Sequence, residues 1–185
     1  MTPDPARVRD LRGRLDAIDP GGLKVGLSWR SRRVARTLQR VSKSIEILDW
    51  EPILTQPGVR FVNLQYDETD EDIALVRDRL GVTIHEVPGL DRRNDLDGMM
   101  ALTAGLDLVI TISNVSAHFA GAVGTECWVM ARKAPFWYWR GQGETAAIYD
   151  SVRVVRQARS GEWAAVIGEV AAALKGRLAA ARPTE

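Results

Sequence analysis

Leu106-Asp107-Leu108-Val109-Ile110-Thr111-Ile112-Ser113-Asn114-Val115-Ser116-Ala117-His118-Phe119-Ala120-Gly121-Ala122-Val123-Gly124 is the stretch that decides the fold. An apolar, β-branched run passes directly into hydroxyl and amide side chains, then into small residues that close on a glycine. Such a run reads as a buried strand, the polar cluster as a helix cap, and the rest as a short helix. Working outward, the same unit recurs. Apolar runs at 23–29, 59–64, 82–87, 126–130 and 152–155 predict five more strands. Helical spacing at 44–55, 70–80, 95–104, 116–123 and 161–178 predicts the helices between or after them. Asp70-Glu71-Asp72 puts negative charge in a first turn, and Gly81 and Gly105 serve as stops. Strand–helix alternation predicts an α/β fold: a Rossmann-like, three-layer α/β/α domain with a mainly parallel sheet of six strands.

The chain has 185 residues, 45% hydrophobic and 26% charged, which suits one globular domain and excludes disordered and low-complexity classes. Its formal charge of +1 leaves no overall field for nucleic acid or membrane, so neither is expected as a partner. One cysteine, Cys127, and two histidines provide neither a disulfide nor a zinc site, and Cys127 reads as core. No metal is expected. The sequence shows no signal peptide and no membrane span, and a cytoplasmic location is expected. Residues 1–22, with a polar helix from about Arg7 to Ile18 and a turn at Asp19-Pro20-Gly21-Gly22, read as a linker or N-terminal helix. Residues 23–180 form the predicted domain and 181–185 a frayed tail.

In an open parallel sheet, ligands bind beyond the carboxyl ends of the strands, where strand order reverses. The loop after the first strand runs from Arg30 to Lys43 with five Arg and one Lys and no acid before Glu46. Such a cluster suits a pyrophosphate, with arginine forks such as Arg30 binding it bidentately and Lys43-Ser44 at a helix start whose N–H groups add to them. A solvated loop is the alternative. After the fourth strand, Asn114, Val115 and Ser116 open a helix whose N–H groups suit an anion, and His118 in its first turn suits a phosphate or ribose oxygen. Plain caps and a half-buried imidazole are the alternative there. Gln65 and Tyr66, after the second strand, are candidates to face a nucleobase. The run Phe136-Trp137-Tyr138-Trp139-Arg140 offers rings for a base or sugar and a guanidinium for phosphate, or else anchors its own loop. Glu144 suits sugar hydroxyls or solvent, and Asp95-Leu96-Asp97 reads as a cap. No G-x-G-x-x-G, Walker or G-x-S-x-G motif occurs.

Seven segments in order resemble the C-terminal, donor-binding half of the heptosyltransferase-like glycosyltransferases (family nine, GT-B fold). They are Lys24 to Trp29 with Lys43-Ser44-Ile45; Phe61 to Gln65; Asp107 to Thr111; Ala117 to Gly124; Trp137 to Arg140; Tyr149 to Arg153; and Arg156-Gln157. The resemblance is greatest to bacterial members fused behind tetratricopeptide repeats. It implies a nucleotide diphosphate sugar as donor substrate, no separate cofactor, Lys43 on the donor phosphate, and Asn114 and His118 with their helix start on diphosphate and ribose. The family's usual Asp-Thr-Gly-x-x-His here reads Ser113-Asn114-Val115-Ser116-Ala117-His118, so the resemblance implies diphosphate binding but does not carry over specificity for ADP-heptose. The family's acceptor site and catalytic carboxylate lie in an N-terminal domain, and nothing before Leu23 is long enough to be it. The expected function is therefore the nucleotide-sugar-binding domain of an inverting, metal-independent transferase acting on a protein or carbohydrate hydroxyl. No catalytic residue is expected in this chain, and alone it should turn over little. The alternative is a non-catalytic nucleotide-binding or protein-docking module.

Overall fold

Alternation within Leu23–Ser28 (β1) sends Val25 and Leu27 into one apolar layer, while Gly26 turns to the other face. There Gly26 leaves room for the tips of Leu64 and Leu106, which lie where a Cβ would point. The computed structural model describes residues 2–31, 45–140 and 144–180. Five further strands follow: Val59–Asn63 (β2), Ile84–His85 (β3), Leu108–Ile112 (β4), Cys127–Ala131 (β5) and Val152–Arg156 (β6). They form one six-stranded sheet in the order β3-β2-β1-β4-β5-β6, and every neighbouring pair is parallel. The predicted three-layer α/β/α Rossmann-like fold is present. Strand order reverses between β1 and β4, where Ser28 lies in register with Thr111.

The helices are Pro5–Ile18 (α1), Glu51–Leu54 (α2), Asp70–Leu80 (α3), Leu96–Ala104 (α4), Val115–Val123 (α5) and Trp163–Ala180 (α6). Side chains of α2, α3 and α6 share a core with Val25, Leu27, Leu108 and Ile110 on one face. Those of α1, α4 and α5 share another with Val62, Val109, Val129 and Val154. The helix expected over 44–55 begins only at Glu51, after a 3-10 turn at Ile47–Trp50. Pro52 accounts for this: without an N–H it suits a first helical turn and breaks an interior one. The strand expected over 82–87 pairs only at Ile84–His85, as befits a sheet edge.

The stretch read as a linker or N-terminal helix carries α1, which packs onto the domain. Leu11 and Leu15 of α1 are buried against α4, and Arg12 reaches Asp107 at 3.0 Å and the Gly105 carbonyl at 2.6 Å. Lys24, whose side chain is 3% exposed, pairs with Asp16 at 2.6 Å. Just beyond α1, Asp19 pairs with Arg60 and His85. Among the described residues, no helix is long and apolar enough to cross a membrane.

Candidate functional site

The carboxyl ends of β1 and β4 are fastened to each other by side chains. Thr111 Oγ1 donates to the Ser28 carbonyl at 2.8 Å, and Asn114 Nδ2 donates to Ser28 Oγ at 2.7 Å and to the Arg30 carbonyl at 3.1 Å. The other amide atom of Asn114 accepts the Ser116 N–H at 3.0 Å, which caps α5. Asn114 thus joins the strand order's reversal point to the start of a helix. The α5 residues Val115, Ser116, Ala117 and His118 begin there, and a helix start is where backbone N–H groups lack helical acceptors. Ser116 is buried and donates to the Leu64 carbonyl at 3.3 Å, while Val115 is exposed at the rim.

Gln65 braces the same junction from the β2 side. Its side-chain oxygen accepts from Ser28 Oγ, the Trp29 N–H and the Arg30 N–H at 2.9–3.1 Å, and its amide donates to the Arg30 carbonyl at 3.2 Å. Fully buried at 0% exposure, it shapes the β1 loop from within. Arg30 is also engaged: its guanidinium pairs with Asp72 at 2.6 Å and Asp67 at 3.4 Å and bonds the Glu68 carbonyl. Trp29 Nε1 donates to the same Asp72 at 2.7 Å. Arg30 therefore stands at the mouth with much of its charge compensated. Lys43 and Ser44 lie outside the described residues.

Tyr66 lines a cleft of about 480 Å³ beyond β2 and β3, with Asp67, Leu90, Arg92 and Asn94 among its other walls. Asp91 on its rim is held below the usual carboxylate range by the Asn94 amide and by the N–H groups of Arg93 and Asn94. Arg92 and Asn63, neither assigned an individual role from the sequence, hold this wall. Arg92 pairs with Glu86 at 2.5 Å and donates to the Gln65 carbonyl at 2.8 Å. Asn63 accepts the Gln65 N–H at 2.8 Å and donates to Thr69 and Glu86. Their only sequence signal was position beside strand ends.

The aromatic run lies in the β5–β6 crossover and divides into buried and exposed rings. Trp139 is fully buried, with Nε1 donating to Ser113 Oγ at 2.8 Å and its ring stacked on His118 at 4.9 Å. Phe136 and Trp137 are 40% and 68% exposed. Arg140 is exposed, with Nε 3.4 Å from the Pro135 carbonyl. His118 Nδ1 lies 3.2 Å from Tyr149 Oη, a partner the sequence reading did not assign to it. Among the described residues, no group of three or more His, Cys, Asp or Glu side chains converges as a metal site.

These features define a Rossmann-like α/β domain whose polar side chains concentrate at the reversal of strand order. The chain is similar to Protein FlbA of Caulobacter vibrioides, 41% identical over 175 residues covering 95% of this chain and 28% of that protein. It therefore spans less than a third of that relative's length. No family model matches the chain.

Proposed function

We propose that the chain is the nucleotide-sugar-binding domain, one half of a GT-B fold, of an inverting, metal-independent glycosyltransferase. The observation that carries this reading is the junction at β1 and β4. Asn114 ties Ser28 and the Arg30 carbonyl to the start of α5, bringing a helix N-terminus beside Arg30, with which the Arg-rich stretch of sequence begins. A diphosphate would lie across that helix start, with Lys43 as its cation and His118 on a phosphate or ribose oxygen. The nucleobase would enter the cleft beside Tyr66, whose volume falls within the usual range for ligand pockets.

In the transfer, an acceptor hydroxyl attacks the anomeric carbon on the face opposite the bond to the diphosphate. That bond breaks with its electron pair leaving on oxygen, and the hydroxyl proton passes to a carboxylate supplied by a second domain. This chain's share is to stabilise the departing charge with oriented N–H groups and cations. An N-terminal acceptor domain, with tetratricopeptide repeats, is the partner proposed, and a span of 28% of the relative leaves ample chain for both. The acceptor class proposed is a protein or carbohydrate hydroxyl.

Calorimetric titration with ADP, UDP, GDP and CMP tests the reading. Binding of one of them, lost in Lys43→Ala and His118→Ala variants that retain their melting temperature, is the expected result. Silence across the panel refutes it and favours a docking module, the second reading, which the exposed rings of Trp137 and Phe136 support.

A further inference from the structure

We propose that Arg7 and Arg14 of α1 are positioning residues for the cleft beside Tyr66, because they pin the two ends of the 88–95 loop that forms one of its walls. The loop half of this inference stands on geometry alone. Its ligand half rests on the reading that a nucleobase enters this cleft. Residues 90–94 of the loop line the cleft on one side, and Tyr66 with its neighbours in the β2–α3 connection line the other. Arg14 donates to the Pro88 carbonyl at the start of the loop, and Arg7 pairs with Asp95 at its end. Seven positions separate the two arginines, so they stand on one face of α1, about 10 Å apart along its axis. Between them Arg92 donates to the Gln65 carbonyl at 2.8 Å. The wall is thus held to the end of β2 at its middle and to α1 at both ends.

Asp95 is the joint through which Arg7 acts. Its carboxylate accepts from Arg7 and caps α4 at the Gly98 N–H, while its own N–H donates to the Asp91 carbonyl at 3.0 Å. Gly98 shows how closely the joint is shut. A Cβ built there would lie 2.6 Å from Leu90 Cδ1, 2.7 Å from a guanidinium nitrogen of Arg7, and against the Asp95 carboxylate. Neither arginine is needed to seat α1. Both are more than a third exposed, and an exposed ion pair or hydrogen bond is worth too little to dock a helix. Buried Leu11 and Leu15 do that, with Arg12 bonded to Gly105 and Asp107 at the far end of α4 and Lys24 bonded to Asp16. The bonds of Arg7 and Arg14 fall instead on the ends of the wall, where a small energy is enough to choose one loop conformation.

Amide hydrogen exchange in the 185-residue chain tests the loop half. The Leu90 and Asp95 amides, bonded to the Val87 and Asp91 carbonyls, report on the wall, and those of Leu11 and Leu15 report on the seating of α1. In Arg7→Ala/Arg14→Ala the wall amides should exchange about fivefold faster while the α1 amides keep their rate. Arg12→Ala, which cuts a contact of α1 away from the loop, should lower the melting temperature and leave the wall amides unchanged. Wall amides at the wild-type rate in the double variant, or α1 amides speeding up with them, overturn the proposal. So does an equal effect on the wall in Arg12→Ala. The ADP, UDP, GDP and CMP panel tests the ligand half. The compound that the wild type binds should bind the double variant about fivefold more weakly, since the competent wall is less populated, and Arg12→Ala as tightly as before. Equal affinities in the wild type and the double variant refute that half. If no compound binds the wild type, the donor-binding reading falls with it, while hydrogen exchange still decides what holds the wall.

Discussion

Alanine at Gly121 should destabilise the domain, whereas alanine at two other helical glycines should stabilise it. A Cβ built on Gly121 lies 2.6 Å from Cδ1 and Cδ2 of Tyr149 and closer still to Cγ. These atoms are the root of the ring, so the whole side chain must retreat rather than swing its tip. Overpacking of this kind costs about 1–3 kcal/mol. Against it stands the intrinsic helix gain of alanine over glycine, about 1 kcal/mol. The expected net effect is a loss of up to about 2 kcal/mol. Gly168 and Gly176 on α6 are exposed and meet nothing within 4 Å of a built Cβ, so each alanine there should gain about 1 kcal/mol. Urea unfolding of the three variants reads the difference in sign. A Gly121→Ala protein as stabilised as the α6 variants would refute the packing of Tyr149 on α5, and with it the geometry that brings its hydroxyl to His118.

Acid should unfold the domain partly through its N-terminal helix. The Lys24 ammonium bonded to Asp16 holds that carboxyl below its ordinary value of 3.8, and Arg60, with His85, does the same for Asp19. A depressed carboxyl contributes its full stability above pH 3.8 and loses it as pH falls through the lower folded value. Melting temperatures followed downward from about pH 6 should therefore drop less steeply in Asp16→Asn and Asp19→Asn than in the wild type; parallel curves would contradict the pairing. Gln65→Ala should cost about 3 kcal/mol in urea unfolding, because Ser28, Trp29 and Arg30 lose a shared buried acceptor, and a loss under about 1 kcal/mol would deny that brace. Cys127 is fully buried and burial pushes its thiol well above the usual range, so a thiol reagent should label it only after unfolding. Labelling of the native protein at the unfolded rate would show that β5 opens.

Much of the fold was readable from local pattern, because a strand or a helix is written in the spacing of apolar residues and in its punctuation. Asp95 caps α4 by accepting the Gly98 N–H at 2.9 Å, and Gly81 and Gly124 close α3 and α5 in the left-handed conformation. The site was only partly readable. Asn114, Ser116 and His118 share one strand–helix junction because five positions of chain connect them. Gln65 was expected to face a nucleobase, and Trp139 to offer a ring to a base or sugar or else to anchor its own loop, whereas the structure uses their polar atoms to brace that junction. A side chain's outward or inward sense depends on register with a neighbouring strand, which the residue's own neighbours in sequence do not carry.

The sequence by itself determined the α/β class, the parallel sheet and the strand end at which polar chemistry gathers. All three follow from period, caps and the right-handed crossover, which act over a few residues or one connection. Only the tertiary structure decided that Arg30 meets Asp67 and Asp72, that Lys24 is buried against Asp16, and that Tyr149 reaches His118. How far an arginine's charge is compensated, what a buried lysine costs and what a histidine ring bonds to are all set by the group a few ångströms away. In the last pair that group is 31 residues distant along the chain, and packing alone brings it near.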